Sequence, residues 1–318
     1  MQQGPSIKVV VSCHKPFTCP QSEMYLPVHV GAASAEHPLE GSVPDNAGDN
    51  ISSRNFSFCE LTAQYWAWKN LQADFVGQCH YRRYFCFDGK RHVANDHEQI
   101  VVPLLDFDSI HAFRLDDVLL LRSAITGVDA VVPRAWDVRY TRTPAGVKRT
   151  VREHMVGYGL VARESLQHLV ELVEAMAPDY VPYVTAYLDG SLYLGYNCFI
   201  LKHELYDALC SFELPILLEF DRSFNYEGIP AIQKRVCGFL GEILFSAFVM
   251  KLEAEGINRV QHVPLLFFEH TEASGVEAVE ATHQELAQGL SLKSLLLPPG
   301  SARRVLAGKV LNRLQCER

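Results

Sequence analysis

The chain is predicted to fold as a mixed α/β protein, with a mostly parallel central sheet flanked by helices. Three observations carry this expectation. Ile7–Ser12 (IKVVVS) is a short β-branched run of the kind buried on both faces of a parallel sheet. A helix-periodic stretch and a second strand-like run, Asp74–Cys79, then follow in turn, the alternation of a βαβ unit. Arg235–Leu252 is strongly apolar and reads as a buried helix. With 318 residues, 48% of them hydrophobic and 21% charged, the chain has material for a sizeable core and is unlike a disordered one.

Along the chain, the first strand ends at Cys13-His14-Lys15-Pro16, a loop at the strand's carboxyl end, where open α/β sheets bind ligands. Residues 19–56 are rich in Gly, Pro, Ser, Asn and Asp and form a long loop region, with a short strand over Met24–Val30. Ser57 and Glu60 have the spacing of a capping box, so the next helix is predicted to start at Ser57, with Leu61, Tyr65, Trp68 and Leu71 on one face. That box accounts for Glu60 without a chemical role.

After Asp74–Cys79 comes HYRRYF, then an irregular stretch over 86–110, a helix over Leu115–Thr126 and a strand over Asp129–Pro133. Residues 134–150 collect Arg134, Arg139, Arg142, Lys148 and Arg149 around Pro144 and Gly146, a mobile basic loop. A helix over 163–177, a strand over Leu192–Leu201 and a short helix over Lys202–Phe212, stopped ahead of Pro215, lead to the apolar helix. Beyond His262 the pattern weakens. In the tail, Val305, Leu306, Val310, Leu311 and Leu314 share one face, with Arg303, Arg304, Lys309 and Arg313 off it.

Composition narrows the function. The formal net charge is -8 with mixed signs, which weighs against a nucleic-acid binder. The nine cysteines are odd in number, scattered and without a C-x-x-C pair, so reduced thiols in a cytoplasmic protein are expected, without metal-ligand spacing. The N-terminus has no signal-peptide pattern, and Glu242 interrupts the longest apolar run, so no membrane span is expected. No G-x-G-x-x-G, P-loop or G-x-S-x-G motif occurs.

Several groups of residues suit chemistry on a phosphorylated sugar. Arg82 and Arg83, with His80, follow a strand and would grip an anion; such a pair also serves as surface salt bridges. His14 and Lys15 sit at the first strand end, where a lysine neutralises phosphate or simply faces water. Asp49 and Asn50 in GDNIS suit ribose hydroxyls or a uracil edge, or make an ordinary turn. Glu242 lies inside an apolar helix near Gly238 and Ser246, so its carboxylate can look into a cleft as a general base or pair with a cation. Asp189, Tyr193 and Asn197 bring polar groups to a strand edge, as sugar sites do, or line a loop before a core Asn. Asp106-Phe107-Asp108 is a literal D-x-D, a triplet common by chance, so no metal site is assigned and Mn or Mg stays a minor alternative.

The segments IKVVVSCHKPF, GDNIS, FCELTAQYWAWKNLQADFVGQCHYRRYF, YNCFILKHELYDAL and RVCGFLGEILFSAF together resemble a bacterial family of capsular and exopolysaccharide glycosyltransferases, first catalogued as a domain of unknown function. The resemblance covers about Ile7 to Leu252. It implies a GT-A-like nucleotide-diphospho-sugar transferase fold over residues 1–262, with a C-terminal extension over 263–318 that is partly amphipathic and basic. The activity implied is transfer of a sugar, galactose or galactofuranose in some members, from a UDP-sugar or similar donor to a growing or lipid-linked glycan, with inversion. HYRRYF stands where GT-A enzymes place their D-x-D, which implies that Arg82 and Arg83 replace the metal. The GFLGEILF helix is similar to the element carrying the catalytic carboxylate, which points to Glu242, with Asp189 a second candidate catalytic acid. His14, Lys15, Asp49, Asn50 and His80 would complete the donor site, and Tyr193 and Asn197 the acceptor site. The family's Tyr and His pair before the central helix is replaced here by His154 and Tyr158, in different order. The basic tail would touch the inner membrane surface or pack on the domain. A non-catalytic sugar-nucleotide or glycan-binding partner subunit is the competing expectation.

Overall fold

A computed structural model describes residues 4–271. In chain order the early strands are β1 (Ile7–Cys13), β2 (Tyr25–His29), β3 (Val43–Pro44), β4 (Phe75–His80), β5 (Arg83–Phe85), β6 (Gln99–Leu104) and β7 (Ala130–Pro133). They are followed by β8 (Trp136–Asp137), β9 (Arg142–Thr143), β10 (Gly146–Val147), β11 (Leu192–Tyr193), β12 (Phe199–Lys202), β13 (Val260–Val263) and β14 (Leu265–His270). The helices are α1 (Asn55–Phe58), α2 (Leu61–Asn70), α3 (Phe107–Ala112), α4 (Val118–Ile125), α5 (Val151–Gly157), α6 (Arg163–Met176), α7 (Val181–Asp189), α8 (His203–Ser223) and α9 (Val236–Glu255).

The β-branched run becomes the strand around which the sheet is laid. β1 pairs in parallel with β2 and β4, and β3 continues the row beyond β2. On the other side, β12 runs antiparallel between β4 and β7, and β13 lies parallel to β7. Alternate residues of β1 serve two cores: Val10 joins the helices α2 and α6–α9, while Ile7, Val9, Val11 and Cys13 join the layer with α3, α4, β6 and β14. Each buried valine contributes about 1.5–3 kcal/mol of transfer free energy as an upper estimate, so this strand is a strong organiser. Gly77 in β4 lets β12 approach, since a Cβ there would meet the Phe199 carbonyl oxygen at 3.0 Å. The expected mixed fold with a largely parallel sheet flanked by helices is therefore the one found.

The boundaries differ in ways that matter for the site. The capping box does not form. Ser57 lies inside α1, with its hydroxyl 2.8 Å from the Tyr226 hydroxyl, and the chain breaks at Cys59 (φ 51°, ψ −126°) before α2 begins. Glu60 makes no side-chain cap. The expected strand over Leu192–Leu201 is split: Gly195, Tyr196 and Asn197 take positive φ between β11 and β12. The expected short helix runs on as α8 straight through Pro215, because Pro215 and Ser211, whose carbonyl loses its partner, both face water. Residues 134–150 are built into short strands rather than a loose loop, β8 pairing β11 and β9 pairing β10. The irregular stretch over 86–110 contains β6.

The sheet also runs past residue 262, where the first domain was expected to end. β14 pairs antiparallel with β5 and parallel with β6, so the chain after His262 supplies part of the main sheet. The amphipathic basic tail and its expected membrane contact lie outside the described residues. Among the described residues no helix is long and apolar enough to cross a membrane, and the cysteines are free thiols.

Candidate functional site

The site is built where α9 crosses the corner between α1 and α2. α9 is apolar all round and packs on α7 and α8. Gly241 accepts Leu61 and Gly238 accepts Cys59 against its backbone; a Cβ at Gly241 would stand 2.7 Å from Leu61 Cδ1. This close crossing sets Glu60 near Glu242. The strained turn before β12 then folds over both. Asn197, 2% exposed, donates from Nδ2 to Glu60 Oε1 (2.8 Å) and to the Gly238 carbonyl (3.2 Å). Positive φ at Cys59, Tyr196 and Asn197 concentrates backbone strain at this one place, as functional sites often do.

Two hollows meet here. One, of about 530 Å³, contains Arg82, Arg83, Trp136, His154, Tyr193 and Glu242 among its walls. The other, of about 350 Å³, lies at the carboxyl end of β1 and includes Ser12, His14, Asn55 and Phe56. Cys59, Glu60, His80 and Arg235 line both, so the two form one continuous cleft with these residues at its junction. A larger hollow lies at the opposite end of the strands, between Asp74, Asp129 and Lys202, where Lys202 is already paired with Asp129.

Three arginines gather around the junction, Arg235 at it and Arg82 and Arg83 on the larger hollow beside it. Arg82 and Arg83 flank the Phe267 ring at 5.4 and 5.2 Å, and Arg83 also lies over Tyr196 at 5.0 Å. The Nε of each is buried without a hydrogen-bond partner, and neither makes an ion pair with a described residue within 4 Å. Arg235 donates from Nε to Cys59 Sγ (3.2 Å) and makes no ion pair among the described residues. His80 accepts the Arg82 backbone N–H at Nδ1 (3.3 Å), which leaves its proton on Nε2. Burial, then Arg83 and Arg82, hold its pKa well below the imidazole range, so it is a neutral donor. His14 is pushed down by burial and by Lys15 and Arg82.

The carboxylate follows. Glu242 accepts a hydrogen bond from the Tyr193 hydroxyl. Burial pushes its pKa up to about 7; Tyr193 and Arg83 pull it back and Glu60 adds to the rise. A carboxyl poised there exchanges protons at neutral pH. Beyond it, Tyr193 stacks on Trp136 (4.8 Å, 21°), and His154 contacts Trp136 and Tyr158. Burial lowers His154 to about 4, so this end of the cleft is neutral.

The structure thus brings His14, His80, Arg82, Arg83, Tyr193 and Glu242 together, and His154 and Tyr158 with them, while Asn197, expected at the acceptor, lies behind the wall and spends its amide on Glu60 and Gly238. Lys15 lies over the Tyr81 ring at 5.8 Å, beside rather than within the cleft. Three further expectations fail on placement. Asp189 ends α7 and pairs with Arg152 (3.1 Å), outside the cleft. Asp49 accepts from the Tyr65 hydroxyl (3.2 Å), and Asn50 donates to the carbonyls of Asn46 and Gly48, so both brace a turn. The loop's buried acid is instead Asp45, which accepts from the Gly31 and Ala32 amides and from Ser52. Asp106 caps α3 by accepting the Ser109 amide, which explains the D-x-D triplet.

Glu60 and Arg235 were missed. A spurious capping box hid Glu60. Arg235 carried a readable signal: it immediately precedes a helix, where the macrodipole disfavours a cation unless an anion sits nearby. Gln99, Trp136 and Phe267 had none, because strands far apart in sequence place them. Outside the cleft, Cys86, Asp88 and His92 gather with ligand atoms within 4.8 Å of one another, a grouping their spacing had not suggested. Asp88 already accepts from His92 and from the Lys90 amide there.

Comparison with known proteins agrees with this architecture. A solved chain described as the apo bifunctional glycosyltransferase WbbM is 27% identical over 84% of this chain, with a TM-score of 0.77. The match spans 46% of that neighbour, so this chain corresponds to less than half of it. No curated protein matched. The family model described as a domain of unknown function, DUF4422, matches residues 8–253, which takes in β1, the HYRRYF turn and Glu242. This chain belongs to the DUF4422 family.

Proposed function

We propose that the chain is a glycosyltransferase that moves a hexosyl unit from a nucleoside-diphosphate sugar, a UDP-sugar first of all, to a hydroxyl of a growing glycan. The observation that carries this reading is the set of groups gathered in one cleft: a pocket at the β1 end with no charged wall besides the shared Glu60 and Arg235, three arginines without ion pairs among the described residues, and a buried carboxylate with a pKa near 7. The nucleoside takes the pocket beside His14 and Phe56. The diphosphate crosses the junction, under Arg235, His80, Arg82 and Arg83. Fixed guanidinium groups there stabilise the charge that grows on the leaving phosphate without reorganising.

The acceptor oxygen attacks the anomeric carbon as the bond to the phosphate oxygen breaks, and Glu242 takes the acceptor's proton. The bonding pair leaves with the nucleoside diphosphate, and configuration inverts in this single displacement. Asp189 has no part, being held by Arg152 away from the cleft. The residues do not fit a divalent cation at the diphosphate. Arg82, Arg83 and Arg235 line that end, its junction carboxylate Glu60 is engaged by Asn197, and Asp106 and Asp108 do not line the cleft. The likeness to the WbbM glycosyltransferase supports transfer chemistry, and the resemblance to capsular and exopolysaccharide transferases supports galactose or galactofuranose and a glycan acceptor.

Thermal-shift binding of UDP and a panel of UDP-, GDP- and CMP-sugars, with donor hydrolysis measured in parallel, tests the reading. One donor class should raise the melting temperature and be hydrolysed, insensitive to EDTA. Binding without turnover would instead identify a partner subunit that only holds sugar nucleotides. No nucleotide binding at all would sink the proposal, and loss of turnover in EDTA would return the metal to it.

A further inference from the structure

The far end of the cleft differs in chemistry from the junction, and its walls contain polar groups left without partners. Gln99 Nε2 and His154 Nδ1 are buried with no hydrogen bond. Their residues are 5% and 3% exposed, and both line the cleft. Such groups are costly to leave unmade, by about 1–3 kcal/mol each, unless something enters to satisfy them. They come from distant parts of the fold. Gln99 opens β6, where its backbone is locked to Asn95 (2.8 and 3.0 Å), and His154 lies in α5 against the Trp136 ring.

The surroundings say what enters. Trp136, Tyr158, Leu160 and Tyr193 offer flat or apolar surface, and His154 is neutral, so these walls themselves carry no charge for an anion. Aromatic faces with a few neutral hydrogen-bonding groups suit a sugar ring, whose C–H faces stack while its hydroxyls are read at the edge. These residues line only the larger hollow, not the pocket at the β1 end. Tyr193 links this end to the carboxylate: its hydroxyl reaches Glu242 and its ring stacks on Trp136, against which His154 also packs.

We propose that this neutral end is the subsite for the acceptor sugar, in which Gln99 and His154 hydrogen-bond its hydroxyls while Trp136 and Tyr158 cover its ring. The assignment rests on the transferase reading above and adds the acceptor's chemical class, a hexose in ring form. A site that spends buried donors and acceptors on substrate hydroxyls rejects analogues lacking them, so these two residues set acceptor choice.

The test uses the full chain with UDP and a panel of methyl glycosides: gluco-, galacto- and mannopyranoside, N-acetylglucosaminide and galactofuranoside. Saturation-transfer NMR reads binding of each. At least one glycoside should bind, and Gln99→Leu and His154→Phe should each weaken it about fivefold or more, with UDP affinity unchanged. If either buried substitution unfolds the chain, the exposed rim variant Tyr158→Ala decides, with the same loss expected. The subsite is overturned if UDP binds but no glycoside does, or if the folded variants leave glycoside binding intact. It is equally overturned if they weaken a UDP-sugar but neither UDP nor the glycosides, because the donor's own sugar then occupies the place. Failure of UDP itself to bind would bring down the transferase reading and this subsite with it.

Discussion

Among the described residues two buried carboxyls have raised pKa values, and only one of them has chemistry within reach. Glu213 sits in the middle of α8, 1% exposed, with Gln64 donating to one oxygen and the other oxygen unpartnered. Gln64 is in turn held by Gln78 (3.4 Å), and its carbonyl accepts from the Tyr206 hydroxyl (2.7 Å). Burial pushes Glu213 up to about 8. Glu242 is pushed by burial to about 7, but Tyr193 and Arg83 oppose the rise and Glu60 augments it. Glu242 opens on the cleft, whereas Glu213 lines none of the described hollows. Around Glu242 the backbone takes positive φ at Cys59, Tyr196 and Asn197, and around Glu213 it stays helical through Pro215. A perturbed carboxyl marks a site only when a cavity, opposing charges and a ligand-sized space accompany it.

The contrast breaks most sharply under isosteric substitution. Glu242→Gln should lower turnover by about 10²–10⁴-fold while leaving UDP affinity in calorimetry unchanged. Glu213→Gln should leave turnover as it was; comparable losses in two well-folded variants would erase the distinction. Next in size, Arg235→Ala should weaken UDP by about 10–100-fold and leave uridine untouched, since the lost contact is to phosphate.

A finer test concerns tuning. Tyr193→Phe removes the hydrogen bond that favours the charged form of Glu242, so its pKa should rise. The acid limb of kcat/KM, expected near pH 7 in the unaltered chain, should move to higher pH by about half a unit to one unit. A limb that stays in place would mean another group is being titrated.

The smallest effect is on stability. The folded pKa of Glu213 stands above its ordinary 4.5, so the folded state holds a proton that the unfolded chain gives up. Its favourable contribution is therefore complete below about pH 4.5 and is lost as pH rises through about 8. The melting temperature should fall by a few degrees over that interval, and Glu213→Gln should flatten part of the fall, with Glu242 accounting for another part. A melting temperature that is level or climbs across the same interval would contradict the assignment of a neutral buried Glu213.

Much of the frame was legible in the chain. Apolar runs declared β1, β4, β7 and α9, because a strand or helix buried on all sides needs a continuous apolar sequence, and that is a local property. The same locality exposed HYRRYF and an acid stranded in an apolar helix. Local rules misled where a nearby pattern competed with a distant one. Ser57 and Glu60 matched a cap, yet the Tyr226 hydroxyl meets the one and Asn197 binds the other. Pro215 looked like a helix end, but a solvent-facing turn tolerates it.

By itself, then, the order of residues determined the layered α/β plan, the cationic turn and the identity of the buried acid, since each follows from side-chain type and short-range spacing. Only the tertiary structure decided which acids share the cleft, that Phe267 from β14 packs against both arginines, and that Gln99 and His154 face one space. Those placements depend on strands and helices separated by tens to hundreds of residues, whose crossings are set by packing, at glycines such as Gly77, Gly238 and Gly241, rather than by any nearby signal.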